Sequence, residues 1–266
     1  MATLQDLLDR LWEDYQAITP QAQRIHRLLT QRGETLVNDH IALRTYDDPR
    51  INLDVLAKPF VRWGYRAAGE YAFPEKKLRA QHFECADPCQ PKVFISELKL
   101  GECSGALQQR VVALIDQVDR ATLQREDLPA IGRPWRIAYA DYQALAQESE
   151  YAGWVAAFGF RANHFTVFVN ALETFDSLEA LNAFLTRHGF KLNTVGGVIK
   201  GSPEVYLEQS STCADEIDVE FSDGVYKVPS CYYEFARRYP LPDGRLFQGF
   251  VAQSADKIFH STDRRA

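Results

Sequence analysis

The chain has 266 residues, of which 46% are hydrophobic and 25% charged, and a formal net charge of −6. That length can bury a sizeable core, the composition leaves no room for a large disordered fraction, and an acidic balance without a long basic run argues against nucleic acid or anionic membrane as partners. Residues 1–6 show neither the cationic start nor the apolar core of a signal peptide, and no stretch is long enough to span a bilayer, so a cytoplasmic location is expected.

Leu4, Leu7, Leu8, Leu11, Trp12 and Tyr15 recur at helical spacing, and Pro20 opens a second helical run with Ile25, Leu28 and Leu29. The stretch Asp39 to Tyr46 then reads as a strand, followed by a helix over about 51–63 and strands near 65–71, 78–85 and 92–99. Two further helical patterns follow, one on Leu107, Val111, Leu114, Ile115 and Val118, the other on Tyr142, Leu145, Tyr151, Trp154, Val155 and Phe158. A strand is then expected over 163–170, a helix capped by Asp176 with Glu179 three residues on, and strands near 192–199, 204–211, 216–221 and 230–236.

The order strand, helix, three strands is therefore written twice. His40 in the first copy corresponds to His164 in the second, and Trp63-Gly64-Tyr65-Arg66 corresponds to His188-Gly189-Phe190-Lys191. An α+β fold follows, with two βαβββ modules forming a curved mixed sheet around a shared interior, and with extra N-terminal and inserted helices. The chain reads as one integrated domain: N-terminal helices over 1–34, a first module over 35–100, a helical insert over 101–160 and a second module over 161–262. Five cysteines, without a C-x2-C pair, read as reduced thiols.

Equivalent histidines on a duplicated strand are candidate metal ligands. A third ligand is needed, and by repeat logic either Glu234 or its apparent counterpart Glu97 could complete the set. Two histidines and a carboxylate with open positions suit non-haem Fe(II) and oxygen chemistry, whereas zinc on the same ligands would mean hydrolysis. The residues alone do not separate these metals. Arg44 shares a strand face with His40, roughly 13 Å along at about 3.3 Å per residue, and could fork the far carboxylate of a short dicarboxylic acid. The plain alternative pairs it with Asp47 or Asp48. Gln209 and Ser211 share a face and could hydrogen-bond a substrate carboxylate. His82 lacks a second-copy equivalent and is set aside, and His26, His188 and His260 read as surface residues. Neither a nucleophile elbow nor a phosphate loop is present.

Six ordered motifs, Asp39-His40-x-Ala42-Leu43-Arg44-Thr45, Phe94 to Leu98, Asn163 to Thr166, Gln209 to Asp215, Tyr233 to Arg238 and Ala255 to Phe259, together resemble the DUF1338 family, which includes 2-oxoadipate dioxygenase/decarboxylase. The resemblance covers roughly residues 35–262. It implies a fold related to the vicinal oxygen chelate superfamily, iron ligands at His40, His164 and Glu234, and a substrate-binding arginine at Arg44, with Glu97 left a structural role. It also implies an Fe(II) enzyme that takes a small 2-oxo acid and O2 to a shortened 2-hydroxy acid and CO2.

Overall fold

The computed structural model describes residues 3–262. Helices α1 (Leu4–Ile18) and α2 (Pro20–Gln31) lead into the first module, β1 (Asn38–Tyr46), α3 (Leu53–Arg62), β2 (Tyr65–Phe73), β3 (Leu78–Cys85) and β4 (Lys92–Leu98). The insert contributes α4 (Gly105–Ile115), α5 (Arg120–Leu123), α6 (Tyr139–Glu148) and α7 (Glu150–Phe158). The second module holds β5 (Ala162–Phe168), α8 (Leu178–Arg187), β6 (Lys200–Ser202), β7 (Leu207–Ser211), a hairpin of β8 (Glu216–Phe221) and β9 (Gly224–Pro229), and β10 (Glu234–Arg238), before the C-terminal α9 (Ala252–Ile258). Among the described residues no helix is long and apolar enough to cross a membrane.

Eight strands form one mixed sheet in the order β2-β3-β4-β1-β5-β10-β7-β6. Four strands from each module are thus arranged symmetrically about the antiparallel β1–β5 seam. Within the seam Ile41 faces Phe165, His40 faces Thr166 and Ala42 faces His164. The two histidines are therefore diagonal neighbours, on one face because strand side chains alternate. Odd-numbered neighbours point the other way, where Phe165 meets Trp12 and Tyr15 of α1 at ring separations of 4.9 and 5.0 Å. One sheet face packs on helices, and the other curls around a cavity.

The duplication extends to a detail absent from the motif reading. Pro74–Lys76 and Pro203–Val205 each form a single 3-10 turn between the second and third strands of a module. Each ends on a left-handed residue, Lys77 and Tyr206. Because of that turn the expected strand over 204–211 starts only at Leu207.

Other expectations shift for local reasons. Residues 192–199 form a loop with one isolated bridge, Leu192 to Thr212, because Gly196 and Gly197 adopt φ of +70° and +100°, outside strand geometry. The strand over 216–221 exists but pairs only with β9 in its own hairpin. The strand placed over 230–236 starts at Glu234. Helix α8 is capped by the Ser177 hydroxyl, which accepts from the Ala180 amide. The Asp176 carbonyl instead accepts from Arg237.

Strand register also corrects the counterpart of Glu234. Glu234 lies beside Thr166 on β5, while Glu97 lies beside Thr45 on β1 and Phe94 beside Ala42. Since Thr166 and Ala42 are equivalent, Phe94 is the true counterpart. Glu97 points to the helix face, fully buried, where it accepts from the Leu53 amide at 2.7 Å at the start of α3 and pairs with Arg79. Glu97→Ala is expected to cost about 2 kcal/mol of stability, as loss of charge-assisted bonds at a buried carboxylate does. Chemical denaturation measures that cost, and metal stoichiometry should be unchanged in the variant.

Candidate metal centre

His40, His164 and Glu234 meet on the concave face. One potential ligand atom from each lies within 4.8 Å of the others, and all three residues are buried. His164 Nε2 is 3.2 Å from Glu234 Oε2, His40 Nε2 is 3.6 Å from Glu234 Oε1, and the two Nε2 atoms are 3.4 Å apart. Two basic nitrogens and a carboxylate converging at these distances form a donor set for one divalent cation. The residues present thus fit a metal.

Each histidine is oriented from behind by the residue that precedes it. Asp39 Oδ1 accepts from His40 Nδ1 at 2.9 Å, and Asn163 Oδ1 lies 3.2 Å from His164 Nδ1. This leaves Nε2 of both rings facing the centre, the arrangement by which outer partners fix a ligand's tautomer. Asp39 is itself gripped by Arg238, at 2.6 and 2.8 Å. Arg238 also donates to the carbonyls of Phe247 and Gly249, holding the loop that brings Phe250 over His40 at 4.8 Å. Gln209 donates to Glu234 Oε1 at 2.6 Å.

The cavity around the trio is lined by Arg44, Phe94, Gln209, Tyr232, Phe250 and Phe259 among others, and its volume is about 20 Å³, room for a single water. Arg44 sits inside it, fully buried, as the expected shared strand face requires. Neither Asp47 nor Asp48 is its partner: Asp48 binds Arg50, and Asp47 caps the Leu100 amide. Arg44 instead has Glu150 at 3.4 Å and Thr262 at 3.3 Å, and lies over the rings of Tyr151, Trp154 and Phe259 at 5.0 to 5.5 Å. These contacts are long for an arginine, and its Nε has no hydrogen-bond partner.

Ser211 lies opposite Glu234 in the β7–β10 ladder. It bonds Ser261 of the C-terminal segment at 2.8 Å and does not line the space. His82 lies outside the centre, between the Tyr71 hydroxyl and Glu84. Tyr232, Phe250 and the orienting roles of Asp39 and Asn163 are not evident from the motifs. A polar residue immediately before each repeated histidine was the available signal for the last two.

The electrostatics also call for a cation. Burial pushes the Glu234 carboxyl up to about 8, against the Gln209 hydrogen bond that lowers it. Burial likewise lowers His40 and, further, His164, which also feels His40 and Arg44. Asp39 is the exception: burial alone would raise it, but Arg238 and His40 hold it well below the usual carboxylate range. A divalent ion reverses the cost at Glu234 by favouring its ionised form. In metal-free protein, the unfolded chain releases the Glu234 proton at a lower pH than the folded chain, so stability falls as pH rises towards 8. The lowered histidines act oppositely, but their contribution is complete above about 6.5. Chelator-treated protein should therefore lose about 2 kcal/mol between pH 6.5 and 8, measured by denaturant titration. Metal-loaded protein should not, and Glu234→Gln should abolish the slope.

With this geometry established, comparison with known proteins shows where the chain belongs. A curated Arabidopsis thaliana protein named 2-oxoadipate dioxygenase/decarboxylase, chloroplastic, is 36% identical over 255 residues, which is 86% of this chain and 69% of its own. A Shewanella frigidimarina crystal structure provisionally called a hydrolase is 53% identical, with a TM-score of 0.90 over 95% of this chain and 99% of its own. The Oryza sativa hydroxyglutarate synthase, solved in complex with 2-oxoadipate, is 32% identical, with a TM-score of 0.90 over 98% of this chain and 92% of its own. A glyoxalase-superfamily protein from Ralstonia eutropha, at 22% identity and a TM-score of 0.75 over 92% of this chain and 85% of its own, shares the fold. The model of the HGLS family, 2-oxoadipate dioxygenase/decarboxylase, matches residues 1–128 and 132–247, and the chain belongs to that family.

Proposed function

We propose that the protein is an Fe(II)-dependent dioxygenase/decarboxylase that converts a small 2-oxo acid, with 2-oxoadipate the leading candidate, and O2 into 2-hydroxyglutarate and CO2. The observation that carries this reading is the presence of a two-histidine, one-carboxylate donor set and a buried, under-bonded arginine in one cavity. Such a donor set would suit an iron that supplies oxygen chemistry. The family membership and the 2-oxoadipate bound by the Oryza sativa relative support it.

His40, His164 and Glu234 would hold the iron, whose redox chemistry supplies the oxidative decarboxylation and the hydroxylation. The protein's own part is placement. Arg44 presents a guanidinium to the distal carboxylate, which displaces the long contacts to Glu150 and Thr262 with a short bidentate pair. The rings of Tyr151, Trp154 and Phe259 hold that guanidinium flat while it waits. Gln209 fixes the rotamer of Glu234, and Ser211 ties β7 to the C-terminal segment through Ser261. Phe94, Phe250 and Ile258 exclude water, so that charge interactions inside are strong.

A volume of about 20 Å³ cannot take a six-carbon acid. Substrate entry requires the roof, Phe250 with α9 and the turn carrying Phe259 and Thr262, to move outward. A cytoplasmic site of action is part of the same reading; among the described residues no helix is long and apolar enough to cross a membrane, and the Arabidopsis thaliana relative is named chloroplastic.

A zinc hydrolase on the same ligands is the second reading, favoured by the provisional name of the Shewanella frigidimarina relative. Protein stripped of metal and reloaded anaerobically with Fe(II) should consume O2 in the presence of 2-oxoadipate and release CO2 in equal amount, whereas zinc-loaded protein should not. Absence of 2-oxo-acid-dependent O2 uptake across a panel of such acids would sink the proposal. Arg44→Lys should retain iron but lower kcat/KM about a hundredfold, mainly through KM, because a point charge replaces a fork.

A further inference from the structure

Eight buried side-chain polar atoms among the described residues have no hydrogen-bond partner, and four of them belong to residues lining the one cavity: Arg44 Nε, Asn163 Nδ2, Gln209 Oε1 and the Tyr232 hydroxyl. Buried polar groups are nearly always satisfied, so such a concentration marks the place where a ligand supplies the missing partners. Three of the four can donate, and a donor-rich, enclosed space is matched to an oxyanion.

Tyr232 is the member of this set that neither the metal ligands nor the arginine explains. Its ring lies nearly parallel to the imidazole of His164, with centroids 4.5 Å apart and an interplanar angle of 26°. It is fully buried. The backbone around it is clamped on all sides: its carbonyl accepts from Tyr15 at 2.5 Å, the next amide donates to Thr212 at 3.0 Å, and the Ser230 carbonyl accepts from Trp154 at 2.7 Å. A ring so fixed is not filling space by accident of rotamer. Phenylalanine would pack the same volume without the cost of a stranded hydroxyl. Tyr232 lines the same cavity as both Glu234 and Arg44.

We propose that Tyr232 is a substrate-binding residue whose hydroxyl donates a hydrogen bond to an oxygen of the 2-oxo-carboxylate end of the substrate, beside His164. The proposal rests on the reading of this cavity as a 2-oxo acid site. With substrate present the hydroxyl sets the rotation of the 2-oxo-carboxylate group about the axis that leads to Arg44, so that the group meets the metal in one orientation. It also gives the site a preference for acids with an oxygen at that position over plain alkyl acids, because an analogue lacking the oxygen leaves the donor unpaired.

The test is Tyr232→Phe, loaded with Fe(II) and kept free of oxygen, with 2-oxoadipate binding followed by calorimetry and compared with wild type. Metal stoichiometry should be unchanged and thermal stability equal or higher, because a stranded hydroxyl has been removed. The dissociation constant for 2-oxoadipate should rise about tenfold or more, as loss of a donor to a charged acceptor does. Admitting O2 should then show a matching loss in kcat/KM. A purely structural tyrosine would lower thermal stability or metal content and leave binding intact, and either result overturns the assignment. Equal 2-oxoadipate affinity and equal kcat/KM in the two proteins overturn it as well, while leaving the wider reading standing. Failure of wild type to bind 2-oxoadipate at all removes that wider reading and this assignment with it.

Discussion

The antiparallel contact between β1 and β5 is the constraint from which the rest of the structure follows. It sets two equivalent strands side by side with Ile41 against Phe165 at the centre, and so places His40 and His164 diagonally on one face. Diagonal neighbours across such a seam are close enough for side chains to converge, whereas a one-residue slip would turn both histidines into the helical layer. Small residues, Ala42 and Thr166, occupy the directly facing positions and leave the rings room to meet. Every other part of the centre is fitted to that pair: Glu234 arrives on the strand beside β5, and Phe94 arrives at the equivalent place beside β1. A symmetric fold thereby acquires a centre with a carboxylate on one flank and an apolar ring on the other.

Much of this was legible in the chain because duplication leaves a trace. Two histidines at matched positions, each with a polar residue before it, stand out against strands that are otherwise apolar. Glu97 shows where such reading fails. In sequence it looks like the partner of Glu234, since both follow a short apolar run. Ladder register, which depends on pairing across the chain and not on neighbours along it, puts Glu97 three positions from equivalence and on the opposite face. The loop over 192–199 misleads for a related reason: β-branched residues near two glycines suggest a strand, and the positive φ of those glycines prevents it. Tyr232 was invisible because a tyrosine between a cysteine and another tyrosine reads as core. Only the absence of a partner for its hydroxyl, a property of three-dimensional surroundings, sets it apart.

The charges are arranged as a relay that runs from metal to roof. Arg238 compensates Asp39, Asp39 orients His40, and the same guanidinium holds the carbonyls of the loop bearing Phe250. Burying an arginine and an aspartate is justified energetically only when both are fully hydrogen-bonded, and here nearly every donor and acceptor is used. One ion pair thus links the aim of a ligand to the position of the ring that closes the space above it. Arg44, at the far end of the cavity, is treated in the opposite way, left with long contacts and a cushion of aromatic rings. The first cation is fully hydrogen-bonded, and the second is not.

The bond between Arg238 and Asp39 joins residues 199 positions apart. A chain made from its N-terminus therefore exposes His40 early and His164 well before Glu234, Gln209 or Arg238 exists to complete the centre. During synthesis the nascent first module supplies only one of the three clustered residues, His40. The three residues of the candidate metal centre come together only when β10, the last strand of the sheet, is in place beside β5.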